Sequence, residues 1–190
     1  MVANSSKSVD SKGRNKETDA IALLTADHKN VKALFKQFEQ LKEQDDTDEQ
    51  KARLVEQICN ELTVHAQVEE ELFYPAVREA ISDDDLMDEA DIEHASAKEL
   101  IAQLEELEPG DDHYDARVTV LSEYIEHHTK EEEGQMFVQA RRADVNTAEL
   151  GKRIAERKEE LRAELGIEED DRAALPAARS GSTPLPERRK

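Results

Sequence analysis

The sequence predicts an all-α protein, an antiparallel up-down-up-down four-helix bundle with an extra C-terminal helix, and three observations carry that prediction. Apolar residues recur at steps of three and four through four long runs. The connections between those runs are short and polar, which forces consecutive helices to be antiparallel neighbours. Charged residues make up 38% of a chain with no Trp and six Gly, a composition that suits long solvated helices and not sheets.

Residues 1–17 hold Ser, Lys, Asn, Asp and Gly with almost nothing apolar, too little to offset the entropy lost on ordering, and are expected to be a disordered tail. From Asp19 the positions Leu24, His28, Val31, Phe35, Phe38 and Leu41 share one face, which places the first helix over roughly 18–43. After the acidic turn that begins at Gln44, Thr47 or Asp48 can cap a second helix over roughly 48–73, with Val55, Ile58, Leu62, His65, Glu69 and Leu72 inward and a stop near Pro75. Ala76 to Ser82 offers another helical turn. Asp83 and its neighbours then cap a third helix whose face is Leu86, Ala90, His94, Ala97, Ile101 and Leu104, ended by Pro109-Gly110. Asp111 or Asp112 starts a fourth, running to about Arg142 with Tyr114, Val118, Leu121, Ile125, His128 and Glu132 inward. The domain thus spans 18–145. An accessory helix follows over 146–166, sparse in apolar residues (Leu150, Ile154, Leu161), capped by Gly166 and expected to pack loosely or to extend from the bundle. Residues 167–190 gather Pro176, Pro184 and Pro186 and are expected to be a second disordered tail.

Composition narrows the function. A formal charge of −20 repels phosphate backbones and anionic membrane surfaces, so neither nucleic acid nor a membrane is an expected partner. No apolar run is long enough to span a bilayer and the start lacks a signal-peptide core, which makes a cytoplasmic location the expectation. Cys59, the single cysteine, allows neither an intrachain disulfide nor a thiolate cluster and reads as a small buried hydrophobe. Any metal must therefore rely on nitrogen and oxygen ligands.

Those ligands are present twice over. His65 and Glu69, and again His128 and Glu132, stand four residues apart, with about 5–6 Å between β-carbons on one helix face. The other two long helices each carry one histidine on the apolar stripe, His28 and His94. A lone histidine there is ordinarily a satisfied core residue; four of them with two carboxylates need compensation, because buried charges are paired or bind metal. The metal-ligand set is accordingly His28, His65, Glu69, His94, His128 and Glu132, a carboxylate-bridged two-metal centre for which imidazole and carboxylate suit iron, and manganese or zinc less specifically. His127 points about 100° away from His128 and is expected at the surface or hydrogen-bonded to a ligand. His113 is expected at the surface. Glu70, Glu71, Glu131 and Glu133 are expected to be solvated, unless one hydrogen-bonds to a ligand. Ferritin-like di-iron bundles need Glu-x-x-His, but Thr25, Leu62, Asp91 and Ile125 stand three residues before the histidines, and the His-Glu-x-x-His of zinc proteases is also absent.

Four segments carry a resemblance: Leu24-Thr25-Ala26-Asp27-His28, the stretch from His65 through Glu69 to Pro75, Glu93-His94, and the stretch from His128 through Glu132 to Phe137. Over about residues 19–142 the chain resembles the hemerythrin-like, or HHE cation-binding, family. The resemblance implies a four-helix bundle around a non-haem di-iron centre bridged by Glu69, Glu132 and a solvent-derived oxygen, with His28 and His65 on one ion and His94 and His128 on the other. Oxygen-carrying hemerythrins have a fifth histidine four residues after the one on the third helix; here that place holds Lys98, which puts reversible oxygen carriage in doubt. Tyr124, one turn before His128, is either a ligand or proton donor filling that gap or a core tyrosine bonded elsewhere. The expected function is a di-iron protein reacting with or sensing peroxide, oxygen or nitric oxide, in one form catalase-like. The alternative is an iron or oxygen sensing module without turnover.

Overall fold

The structure, a computed structural model, describes residues 19–167. Both expected tails lie outside the described residues, apart from Ile167. Helices α1 (Ala20–Lys42) and α2 (Asp48–Val68) lead to a π-helical turn, Glu69–Phe73, which runs on without a break into α3 (Tyr74–Ala80). Next come α4 (Asp84–Glu105) and α5 (Tyr114–Glu131), a second π turn (Glu132–Met136) continuing as α6 (Phe137–Arg142), and finally α7 (Thr147–Leu165). There is no strand among the described residues.

Neighbour relations close a ring: α1 packs on α2, α2 on α4, α4 on α5 and α5 on α1. This is the antiparallel four-helix bundle expected from the stripes, and every inward position named for α1, α4 and α5 is buried. Caps largely follow the sequence. The Asp19 carboxylate accepts from the Ala22 N–H at 3.1 Å, Asp83 accepts from Leu86 and Asn146 from Glu149. Thr47 stands at the start of α2, but its hydroxyl turns back and donates to the Leu41 carbonyl at 3.1 Å, closing the end of α1. Helix α5 begins at Tyr114, later than expected, because His113 takes the left-handed conformation with φ 71° and starts the turn there.

Two expectations need correcting. The second long helix does not stop near Pro75. The Tyr74 N–H donates to the Glu69 carbonyl, an i→i+5 bond, and Pro75 falls where the ladder returns to ordinary α spacing and its missing N–H is tolerated. The extra residue turns the next positions: Leu72 is only half-buried, while Phe73, Tyr74 and Val77 fill the core. The fourth long helix repeats the device, with the Phe137 N–H donating to the Glu132 carbonyl. Nor does α7 pack loosely. It lies across α1 and α2, and Leu150, Ile154 and Leu161 are at most 4% exposed, inside the same apolar cluster as Leu24, Phe73 and Phe137.

That cluster fills one end of the bundle. A second, built on Phe38, Ile58, Leu121 and their neighbours, fills the other. The polar layer lies between them.

Candidate metal centre

Each of the four bundle rods sends one histidine into this layer, and all four are at most 5% exposed. They meet in pairs. His28 Nε2 lies 3.1 Å from His65 Nε2, and His94 Nε2 lies 3.1 Å from His128 Nε2. The two glutamates join the pairs crosswise. Glu69 Oε2 is 3.1 Å from His65 Nε2 and 3.4 Å from His94 Nε2, while Glu132 Oε2 is 3.2 Å from His28 Nε2 and 3.4 Å from His128 Nε2. Each carboxylate therefore touches one histidine of each pair. All six residues singled out in the sequence converge, as two groups of ligand atoms placed to hold a cation.

Both π turns start at these glutamates. A π turn interrupts the ordinary ladder and is frequent at functional sites, since it re-aims side chains at a small local cost. Here it brings Tyr74, five residues after Glu69, into the layer. The Tyr74 hydroxyl donates to Glu132 Oε1 at 3.0 Å and lies 3.1 Å from His94 Nε2. Phe137 occupies the matching place after the second π turn and stacks on His28 with centroids 5.8 Å apart. The two halves of the layer thus match in plan and differ in one hydroxyl. Tyr124, the tyrosine to which the sequence pointed, is neither ligand nor core residue: it is 44% exposed beside Ile92 and Val120.

Outer carboxylates orient every ring. His28 Nδ1–H donates to Glu133 at 2.9 Å, His65 to Asp27 at 3.3 Å, His94 to Glu70 at 2.9 Å and His128 to Glu93 at 2.8 Å. With Nδ1–H engaged outward, each Nε2 is turned to the interior, the orientation usual for metal-bound imidazoles. Glu70 and Glu133 are therefore ring-orienting groups and not solvated acids. Lys98, at the place of the missing fifth histidine, is half exposed and donates to Glu70 at 2.7 Å. His113 is exposed. So is His127, which meets Glu89 and Glu131 in an outer group and lies 3.5 Å from Glu93.

The electrostatics of the protein groups in this layer follow from crowding charge at low exposure. Burial opposes the charged form of His65, but Glu69 and Asp27 outweigh it and hold the imidazole up at about 10. For His94, burial is again outweighed, by Glu69 and Glu70, to about 9. Glu69 sits well below the usual carboxylate range because the charge of His65 overcomes its burial. Burial, with the charges of Glu69 and Glu132, pushes the Tyr74 hydroxyl well above its ordinary value, so it remains an O–H donor.

The donor set fits a cation on an independent ground. Among the described residues Glu69 Oε1 is buried with no hydrogen-bond partner, and the buried Glu69 Oε2 and Glu132 Oε2 meet only histidine Nε2 atoms. A buried carboxylate oxygen left without a partner costs about 1–3 kcal/mol, a cost that a bound metal ion would remove. A narrow cavity, lined by Val31, Leu62, Ala97, Ile101 and Ile125 on its apolar walls, reaches the four histidines and has room for on the order of one water-sized guest.

Residues 19–140 match the family described as Hemerythrin HHE cation binding domain. A protein of Nostoc sp. (strain PCC 7120 / SAG 25.82 / UTEX 2576) named DNA nickase is 31% identical over 120 residues, which are 63% of this chain and 32% of that protein. The chain thus spans about a third of the length of that relative. No solved structure matches the chain.

Proposed function

The chain belongs to the hemerythrin HHE cation-binding family, and on that footing we propose that its polar layer is a carboxylate-bridged, non-haem di-iron centre that reacts with a small molecule such as peroxide, oxygen or nitric oxide. One observation carries the reading: Glu69 and Glu132 each reach both histidine pairs, and three of their four oxygens have no other partner. His28 and His65 would hold one ion, His94 and His128 the other, with the two glutamates shared. When bound, iron supplies Lewis acidity and one-electron redox capacity, which zinc lacks.

The chain's own residues do the rest. Asp27, Glu70, Glu93 and Glu133 fix ring orientation, and the apolar walls of the cavity leave room beside the four histidines for a guest on the order of one water molecule in size. Tyr74 keeps its proton and holds a hydrogen-bond donor at its hydroxyl oxygen, on the side of the His94–His128 pair alone. The nicking activity that names the Nostoc relative is not part of this proposal, because only a third of that protein is matched and a charge of −20 opposes DNA.

Elemental analysis with an ultraviolet–visible spectrum of freshly purified protein tests the centre. The expected result is about two iron ions per chain and a near-ultraviolet charge-transfer band that changes on adding peroxide. Iron-free protein, or iron with a spectrum indifferent to peroxide, oxygen and nitric oxide, would overturn the proposal. Spectral change with no peroxide consumption would select a sensing or binding module over a catalase-like enzyme.

A further inference from the structure

We propose that Lys158 couples the C-terminal helix to the metal centre, so that α7 docks more tightly when the His28–His65 pair holds its ion. The inference rests on the proposal that the polar layer binds metal. The four outer carboxylates differ in what holds them from behind. Glu133 is 38% exposed, Glu93 has His127 at 3.5 Å, and Glu70 has the half-exposed Lys98. Among the described residues, Asp27 alone of the four is gripped by a buried cation from outside the bundle. Lys158, on α7 and only 7% exposed, donates to one Asp27 oxygen while the other accepts from His65 Nδ1 at 3.3 Å. From α7 to a candidate ligand the path is two side chains long.

The remaining contacts of α7 are of another kind. Leu150, Ile154 and Leu161 bury apolar surface whatever the centre contains, and Arg157 with Glu71 and Arg162 with Glu61 pair away from the histidines. Lys158 is the contact whose strength depends on where Asp27 sits. A buried ammonium is costly unless paired. An ion on Nε2 fixes the His65 ring, the ring fixes Asp27, and Lys158 then meets its partner in one place; a ring free to turn passes that freedom back along the same chain. Coupling is reciprocal, so Lys158 must favour occupancy of that pair by the factor by which occupancy favours docking. Among the described residues the outer carboxylates of the other histidine pair are backed from within the bundle, Glu93 by His127 on α5 and Glu70 by Lys98 on α4.

Amide hydrogen exchange across α7 in the full chain, with zinc(II) as the probe ion and a chelator as the reference, tests the coupling. Zinc is expected to slow exchange in α7 of the wild type by about five- to tenfold, at the low end of typical coupling between sites. Lys158→Met keeps the apolar stem and is expected to bind zinc with no zinc-dependent slowing in α7, and Lys158→Arg is expected to restore it. Identical α7 exchange with and without zinc in the wild type would overturn the coupling, and that comparison is decisive even where the Met variant does not fold. Undiminished slowing in Lys158→Met would overturn it as well, since the effect would then come from general stabilisation. Failure of the wild type to bind zinc or iron would instead overturn the metal reading itself.

Discussion

At the scale of single residues, the centre is built from unequal layers of obligation. Glu69 and Glu132 stand between the two histidine pairs, placed so that they could hold a cation, while the outer carboxylates act through the rings they hold. Glu70→Gln keeps the shape but weakens the grip on His94, and is expected to lower metal affinity by about 10–100-fold in a chelator competition. The pH response has a definite sign. In the folded, metal-free chain His65 and His94 stand at about 10 and about 9 against 6.5 ordinarily, so the folded form holds more protons between those limits. Their stabilisation is complete below about pH 6.5 and lost as pH rises through 9 to 10. Denaturant titrations of metal-free protein are therefore expected to show stability falling from pH 6.5 to pH 10, a fall that metal loading removes by displacing the protons. Constant stability across that range would contradict the assignment.

At the scale of elements, the two π turns do most to distinguish this bundle from a plain one. Each begins at a candidate ligand, and each rotates the helix beyond it so that Phe73 with Tyr74, or Met136 with Phe137, faces inward. Gly134 lies inside the second turn with helical backbone and open space where a Cβ would stand. Gly134→Ala is expected to stabilise the protein by about 0.5–1 kcal/mol through helix propensity, seen as a rise in Tm of a few degrees. A loss of stability would mean that the turn itself needs glycine's freedom. Helix α7 illustrates the reverse lesson: its stripe of Leu150, Ile154 and Leu161 is sparse in the sequence, yet each residue is buried because α1 and α2 offer a groove that fits it.

At the scale of the whole molecule, a polar layer is held between two apolar clusters, one of which α7 completes with Leu150, Ile154 and Leu161. Ile154 is fully buried in that cluster, and Ile154→Ala is expected to cost about 2–5 kcal/mol in denaturant unfolding. Metal should act on the same balance from the other side. Loading to about 100 times the dissociation constant is expected to add about 2.7 kcal/mol and raise Tm, and a chelator should reverse the rise. Equal Tm with and without metal would show that the layer binds nothing. Among the described residues no helix is long and apolar enough to cross a membrane.

The helices, their antiparallel order and the six converging residues were legible in the sequence, because a side chain's place on an α-helix depends only on its distance along the chain from its neighbours. His28 and His94 could be put on inward stripes, and His65 beside Glu69, without knowing what lay across the bundle. Where the periodicity slips, that reasoning fails: at α spacing Tyr74 lies well off the Glu69 face, and the i→i+5 bond that brings it round is a choice the packed core makes. Tyr124 misleads for the opposite reason: it stands one turn before His128, yet it falls on the exposed flank of the buried Leu121–Ile125–His128 stripe. Pairings between rods, such as Asp27 with His65, Glu133 with His28 and Lys158 with Asp27, were likewise decided only by the tertiary structure, since local spacing says which way a group points and never what meets it.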